Sequence, residues 1–457
     1  MPTSCVLQSN ARKSLKQLES SDVKNWMLAG ATAAALMIPV VPAIGANSPV
    51  PTYAGAGDPS VAAFYAGRHG APLWLGQGSS SSAARELISV LQRAPLDGFD
   101  TGPAIAAQAQ ALMERAQAGD RSALASADQL LSAAWVQYVQ VLQTPPAGMI
   151  YADAWVGPRR ESGVQILARA ANAPSLSAHV RRVSSVNPIY AQLRDAAWSA
   201  TQAAGGRIDP RVLTSLDRVR DMPFQKRYVM IDAASARLYM IEDGQVVDQM
   251  KVIVGKSSSQ TPMLASTIYY ATLNPYWHVS DDMIRSLIAP NVLQQGLGYL
   301  KTRGYQVMAA DGPEGADARL LDPSKINWMA VANGQIKVKV RQLPGPANSM
   351  GRMKFGFPNA YDIYLHDTPN KELFASDDRD LSHGCIRLED APRLGRWMLQ
   401  RDPQVVTHEP EQNVPLPTPV PIYVTYLTAH ADRGRLSFAD DPYGKDAGAG
   451  AAVMALQ

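Results

Sequence analysis

The sequence predicts an α+β protein in which an all-α region is followed by a mainly β one, and three observations carry that prediction. Apolar residues recur at helical spacing as far as about residue 220. Near Arg227 the period drops to two: Tyr228 to Asp232 and Arg237 to Ile241 read as strands, and Glu242-Asp243-Gly244 is a tight turn into Val246 to Val254. The joint between the two regimes is short, running from Ala203-Ala204-Gly205-Gly206 through Asp209 to Pro223. A chain of 457 residues is long enough to give each region its own core.

The N-terminus carries a targeting signal. Arg12, Lys13, Lys16 and Lys24 precede an apolar run from Trp26 to Ala46, broken by Pro39 and Pro42 and closing on the small residues Ala43, Gly45 and Ala46. A basic stretch followed by an apolar one reads as a secretory signal. The run is also nearly long enough to cross a bilayer, so the alternative is inner-membrane attachment through an uncleaved anchor. The prolines and small residues favour cleavage. Either way the rest of the chain is expected in the periplasm or cell envelope. Of the two cysteines, Cys5 lies ahead of this segment, which leaves Cys385 the only thiol of an exported form. A net charge of +3 without any Lys/Arg run excludes nucleic acid as an expected partner.

The helical region begins with Phe64, Tyr65, Leu73, Trp74 and Leu75 after a flexible lead-in. From Ser82 the residues Ala84, Leu87, Ile88, Leu91 and Ala94 fall on one helix face, stopped by Pro95 and Gly98. Further helices are expected over Pro103 to Ala118, Arg121 to Gln143, Val164 to Ala171, Leu176 to Val183 and Pro188 to Ala203. Their aliphatic and aromatic stripes are core, and none carries a chemical motif.

In the β region, Thr267 to Leu273 and Ile336 to Val340 are expected strands. Between them Asn274-Pro275-Tyr276-Trp277-His278 leads into a long segment with few signals, reaching about Asp322, which fits a functional loop or lid. Ala391 to Gln400 is an expected helix. Val414 to Pro421 reads as a proline-rich tether, feeding a last strand from Tyr423 to Thr428 and then a Gly/Ala-rich tail.

The chemistry gathers at Ser382-His383-Gly384-Cys385-Ile386-Arg387 and at His366 in Tyr364-Leu365-His366-Asp367. A thiol needs a base or a stabilising field to act as a nucleophile. His366 and His383 are the histidines close to Cys385 in sequence. Gly384 permits a sharp turn, from which the N–H groups of Gly384 and Cys385 could face an oxyanion. Arg387 could hold a carboxylate or brace the loop through its carbonyls. A zinc site built from His366, Asp367, His383 and Cys385 is the competing reading, but no metal-ligand spacing is present and no metal is expected. Of the remaining histidines His69, His179, His278, His408 and His430, only His278 adjoins the presumed cleft segment.

His366 followed by Ser382 to Arg387 resembles the signature of the L,D-transpeptidases with a YkuD-type catalytic domain. Leu238 to Gly244, Val252 to Lys256 with Thr261-Pro262, Asn274 to Trp277, Gly304-Tyr305, Asn348 to Pro358 and Tyr364 to Pro369 are similar to the YcbB-like branch of that family. Phe64 to Trp74 and Leu96-Asp97-Gly98 resemble its helical scaffold domain. The resemblance implies residues 1–46 as signal or anchor, 47–225 as scaffold, 226–445 as catalytic domain and 446–457 as a flexible tail. It also implies cross-linking of peptidoglycan stem peptides, donor and acceptor, through acylation of Cys385 by a tetrapeptide, with no cofactor and with carbapenem-type inhibitors. His366 would be the proton carrier, oriented by a backbone carbonyl, and His383 a loop-shaping residue. Ser382, Gly384 and Arg387 match motif positions. Trp277, Tyr276, Tyr364 and Asp367 would contact substrate. The branch often carries a small peptidoglycan-binding helical domain, for which the joint before Arg227 leaves no room. The alternatives on the same fold are an L,D-carboxypeptidase and a non-catalytic wall-binding protein.

Overall fold

A computed structural model describes residues 58–76, 82–221, 223, 225–313, 317–404 and 409–446. The signal segment, Cys5, His408 and most of the C-terminal tail lie outside them. The described residues belong to one compact unit. Among them no helix is long and apolar enough to cross a membrane.

Among the described residues eight α-helices build the first region: α1 Pro59–Gly67, α2 Ser82–Arg93, α3 Gly102–Gln117, α4 Arg121–Leu142, α5 Gly163–Ala171, α6 Leu176–Ser184, α7 Pro188–Ala203 and α8 Pro210–Arg218. Local chemistry sets their starts. The Asp120 carboxylate accepts the N–H groups of Ser122 and Ala123 at α4, and Ser162 with Gln165 forms a reciprocal capping box at α5. Gly102 marks where α3 approaches α2, because a Cβ there would lie 2.4 Å from the Leu91 carbonyl oxygen. Trp74, Leu87, Leu91, Leu131, Trp135 and Tyr138 fill the core. One buried carboxylate organises it. Asp128 accepts the N–H groups of Leu73 at 2.7 Å, Trp74 at 2.7 Å and Leu75 at 2.8 Å, as well as the Tyr65 hydroxyl.

The β region is a closed barrel. Its strands are β2 Arg227–Asp232, β3 Arg237–Glu242, β4 Gln245–Gly255, β5 Leu264–Leu273, β9 Met353–Gly356, β10 Tyr364–His366, β12 Ile386–Leu388 and β13 Gln412–Thr425, with β1 (Ile150–Tyr151) added beside β5 and β11 (Asp380–Ser382) beside β4. The order β5-β13-β2-β3-β4-β12-β10-β9 returns to β5 through a β9–β5 pairing, so the main circuit has no free edge. Alternation separates the faces. Val229 and Ile231 of β2 enter the barrel core, while Tyr228 and Met230 pack outward against Tyr190 and Leu193 of α7 and Val212 and Leu216 of α8. Helix α13 (Ala391–Leu399) adds Leu394 and Met398 to the barrel core.

The tether expected at Val414 to Pro421 is instead part of β13. Pro415 pairs opposite Tyr270 of β5, and the register shifts between Pro415 and Val420. Only Ile422 to Thr425 also pair with β2, so the prolines before them occupy a stretch bonded on one side, where a missing N–H is tolerated. Past Thr428 the expected tail forms a hairpin, β14 Ala429–Asp432 with β15 Arg435–Phe438.

The weakly patterned segment after β5 is a subdomain. It contains β6 Trp277–Val279, β7 Tyr305–Ala309 and β8 Val338–Gln342 as a sheet of order β6-β8-β7. Helices α9 Asp281–Met283, α10 Ala289–Gln295, α11 Gly298–Thr302 and α12 Trp328–Ala332 cover the sheet. Trp277, Ile288, Tyr305, Trp328 and Val340 form its own core, against which Tyr364 packs. Of its elements only β8 overlaps an expected strand, Ile336 to Val340, and the rest are too short for periodicity to reveal.

Candidate active site

Strand pairing places the chemistry. Leu365 lies opposite Ile386 and His366 opposite Arg387 in the parallel β10–β12 ladder. Leu365 and Ile386 are fully buried in the barrel core. The alternation of side chains then sends Tyr364, His366, Cys385 and Arg387 together to the outer face, beneath the inserted subdomain.

The Cys385 loop is held by its neighbours. Gly384 has φ +113°, which favours glycine. The Ser382 hydroxyl donates to the Cys385 carbonyl at 2.6 Å and accepts the Gly384 N–H at 3.1 Å. Thr261 donates to the Gly384 carbonyl at 2.8 Å. The Gly384 amide, expected to face an oxyanion, is thus spent inside the loop. His383 is exposed, with Lys256 Nζ 3.5 Å from its Nε2.

Cys385 keeps intermediate exposure, yet atoms packed around its sulfur push the thiol up, and hydrogen bonds from the Tyr364 main chain and phenol and the Arg387 charge oppose that rise. Its hydrogen bond runs 3.6 Å to the Asp362 carbonyl. Burial therefore favours the protonated sulfur in the free site. His366 is buried, with Nδ1 2.6 Å from the Asp367 carbonyl. Burial, then Arg387, pushes its imidazole down to about 4, against the opposing pull of the Asp367 and Ser349 carbonyls. Thiol and imidazole share a face, and no hydrogen bond joins them in this state. Burial also lowers Arg387, which among the described residues has no carboxylate partner.

The other expected contacts divide. Tyr364 hydrogen-bonds Cys385 through its phenol, and its ring meets that of His366 edge-on at 5.6 Å. Asp367 is buried and accepts Lys371 Nζ at 2.7 Å and the Arg352 N–H at 2.9 Å. Trp277 is buried in the subdomain core, its ring 6.1 Å from that of Tyr305. Tyr276 is half-buried beneath the Arg341 guanidinium, 4.2 Å from its ring centroid. His278 reaches Glu411 at 3.5 Å, and Lys354, paired opposite His366 in the β9–β10 ladder, holds the same carboxylate at 3.3 Å. Among the described residues no group of three His, Cys, Asp or Glu side chains converges as metal ligands do.

Sequence reading missed the segment that returns from the subdomain. Asn348 donates to the Pro275 and Leu343 carbonyls, each at 3.0 Å, and Ser349 places its carbonyl on His366. Asn348 to Pro358 had drawn notice only as a likeness.

Comparison with known proteins agrees with this geometry. Residues 226–420 match the L,D-transpeptidase catalytic domain, YkuD, and residues 59–196 match a Scaffold domain. The chain carries a YkuD-type L,D-transpeptidase catalytic domain behind a helical scaffold domain. A Haemophilus influenzae protein named "Putative L,D-transpeptidase" is 25% identical over 398 residues, covering 85% of this chain and 78% of that protein. The L,D-transpeptidase from Mycobacterium smegmatis is 15% identical over 44% of this chain and 58% of its own, with a TM-score of 0.23. L,D-transpeptidase 3 from Mycobacterium tuberculosis, in complex with a faropenem-derived adduct, is 11% identical over 44% and 60%, with a TM-score of 0.22. The chain thus spans about three fifths of these two solved chains.

Proposed function

We propose that this protein is an exported peptidoglycan L,D-transpeptidase that forms 3→3 cross-links through a Cys385 acyl-enzyme. The observation that carries the reading is the shared outer face of Tyr364, His366, Cys385 and Arg387, set by the Leu365–Ile386 register. Both half-reactions balance on one sulfur and one ring. Cys385 Sγ bonds to the carbonyl carbon of the third stem residue, and the bond to the terminal D-Ala nitrogen breaks. The thiol proton passes to His366 and on to the departing amine. A side-chain amine of a second stem then attacks the thioester, gives up its proton and restores the thiol.

A neutral thiol beside a neutral imidazole keeps the free enzyme unreactive. Substrate must draw the sulfur off the Asp362 carbonyl and toward His366. Once protonated, the ring can donate to the Asp367 and Ser349 carbonyls, which lowers the cost of the charge it gains. Arg387 offers a guanidinium for a stem carboxylate. No cofactor is required, since the donor peptide bond supplies the energy. An activated thiol of this kind also fits acylation by carbapenems.

Incubation with disaccharide-tetrapeptide tests the reading. Cross-linked dimers with release of D-Ala are expected; tripeptide alone would make the protein a carboxypeptidase, and unchanged substrate would leave only wall binding.

A further inference from the structure

The loop that presents the thiol is held from outside its own motif. Gly255 ends β4 and lies opposite Ser382 in the β11–β4 ladder, and the Lys256 N–H donates to the Ser382 carbonyl at 2.9 Å. The chain then folds back so closely that a Cβ on Gly255 would lie 2.1 Å from the Ser259 carbonyl oxygen. One hydroxyl joins this turn to the nucleophile loop. Thr261 Oγ1 accepts the Gly255 N–H at 2.9 Å and donates to the Gly384 carbonyl at 2.8 Å. That carbonyl shares a rigid peptide plane with the Cys385 N–H, so turning the plane swings Cys385 and its sulfur. Thr261 is buried, where a lost partner is costly.

The turn is gripped in its turn by a segment that follows the β14–β15 hairpin, beyond the residues matched to the catalytic domain. Ser257 donates to the Pro442 carbonyl at 2.7 Å, and Gln260 Nε2 to the Tyr443 carbonyl at 3.2 Å. The Tyr443 hydroxyl donates to the Gly255 carbonyl and accepts the Thr261 N–H at 3.4 Å. Its ring stacks on Tyr426 with centroids 5.0 Å apart. The segment is also tied to the helical region. Arg218 of α8, itself buried, donates to Asp446 at 2.6 Å and to the Lys445 carbonyl at 2.8 Å. Asp441 gathers the Lys445 N–H at 2.9 Å, the Asp446 N–H at 2.8 Å and the Tyr426 hydroxyl at 2.6 Å.

We propose that Tyr443 is a positioning residue for Cys385. Its hydroxyl fixes the Gly255–Thr261 turn and, through the Thr261 hydroxyl, the Gly384 carbonyl, so the placement of the thiol depends on the docked segment after β15. The inference rests on the reading of Cys385 as the acylated atom and deepens it.

Tyr443→Phe keeps the ring and removes the hydroxyl. Acylation of the full-length variant by the carbapenem imipenem, timed by mass spectrometry, is expected to slow at least tenfold. Alkylation of the same thiol by iodoacetamide, which needs access but no alignment, is expected to quicken at least threefold. Loss of stability alone does not drive the two rates apart, and Ile105→Val in the helical core should alter neither. Thr261→Ala should slow acylation as well, and Thr261→Ser should retain it. Tyr443→Phe added to Thr261→Ala should cost nothing further, because both act on one path. An unaltered acylation rate in Tyr443→Phe overturns the proposal, as do a parallel fall in alkylation, an equal slowing in Ile105→Val, or losses that multiply in the double variant. A parent protein that takes no imipenem sinks the acyl-enzyme reading instead. The alkylation rates then decide this inference by themselves: faster alkylation of Tyr443→Phe upholds the hold on the sulfur, and an unaltered rate overturns it.

Discussion

The Ser382 hydroxyl lies 2.6 Å from the Cys385 carbonyl oxygen and closes the four-residue loop that presents the thiol. The Ser382 hydroxyl oxygen also accepts the Gly384 amide, so one side chain satisfies two main-chain groups at once. Ser382→Ala leaves both without that partner in a buried setting, at a cost of ~1–3 kcal/mol. Acylation of Cys385 by a carbapenem, followed by mass spectrometry, is expected to slow ten- to a hundredfold, and the melting temperature to fall by a few degrees.

Cys385→Ala should abolish both the carbapenem adduct and cross-linked product. A variant that still makes dimers would move the nucleophile elsewhere.

His366→Ala is expected to lose activity by a factor of ~10³, within the range of general acid–base catalysis, whereas His383→Ala, on an exposed side chain, loses less than tenfold. Equal losses would exchange their roles.

The pH dependence of stability follows from the same ring. The folded pKa of His366, about 4, lies below its ordinary value of 6.5, so the unfolded chain takes up the extra proton between these limits. The stabilisation is fully present above pH 6.5 and is lost as pH falls toward 4. Between pH 7 and pH 5 this amounts to ~2 kcal/mol per histidine, and buried His179, also pushed down to about 4, adds its share. His366→Gln should reduce the difference in denaturation midpoint between those two pH values; an unchanged difference would contradict the burial assigned to the ring.

Gly351 has φ +59°, and a Cβ there would fall 2.4 Å from Asp367 Oδ2. Asp367 is pinned by Lys371 and cannot retreat without losing that bond. Gly351→Ala should therefore destabilise by more than ~2 kcal/mol and disturb the strand carrying His366. Thermal melting would register the first effect, and the rate of Cys385 acylation the second.

How far the sequence revealed this molecule depended on the length of each element. Long helices such as Arg121–Leu142 and clean hairpins such as that turning at Asp243-Gly244 announced themselves through period and turn chemistry. The motif residues His366 and Cys385 were legible because residue types alone restricted their chemistry. Apart from the strand expected over Ile336 to Val340, which overlaps β8, the subdomain after β5 was not, since its strands and most of its helices are three to five residues long and share a core only in three dimensions. Asp128 was passed over, and the buried hydrogen bonds of Asp367 went unread, for a related reason. A carboxylate reads as surface or ligand in one dimension, and only folding shows that main-chain donors surround it.

The subdomain leaves the barrel after Leu273 and rejoins it at Met353, and those two residues are direct partners in the β5–β9 ladder. The Asn274 N–H donates to the Arg352 carbonyl one step further out at 2.9 Å. The whole excursion therefore hangs from a stem of two adjacent strands, like a bulb on a hairpin, and the barrel seam is already sewn beneath it. A tight reverse turn could replace the bulb without opening the barrel, which makes this the natural point for exchange of covers between relatives and for engineering of access to the thiol.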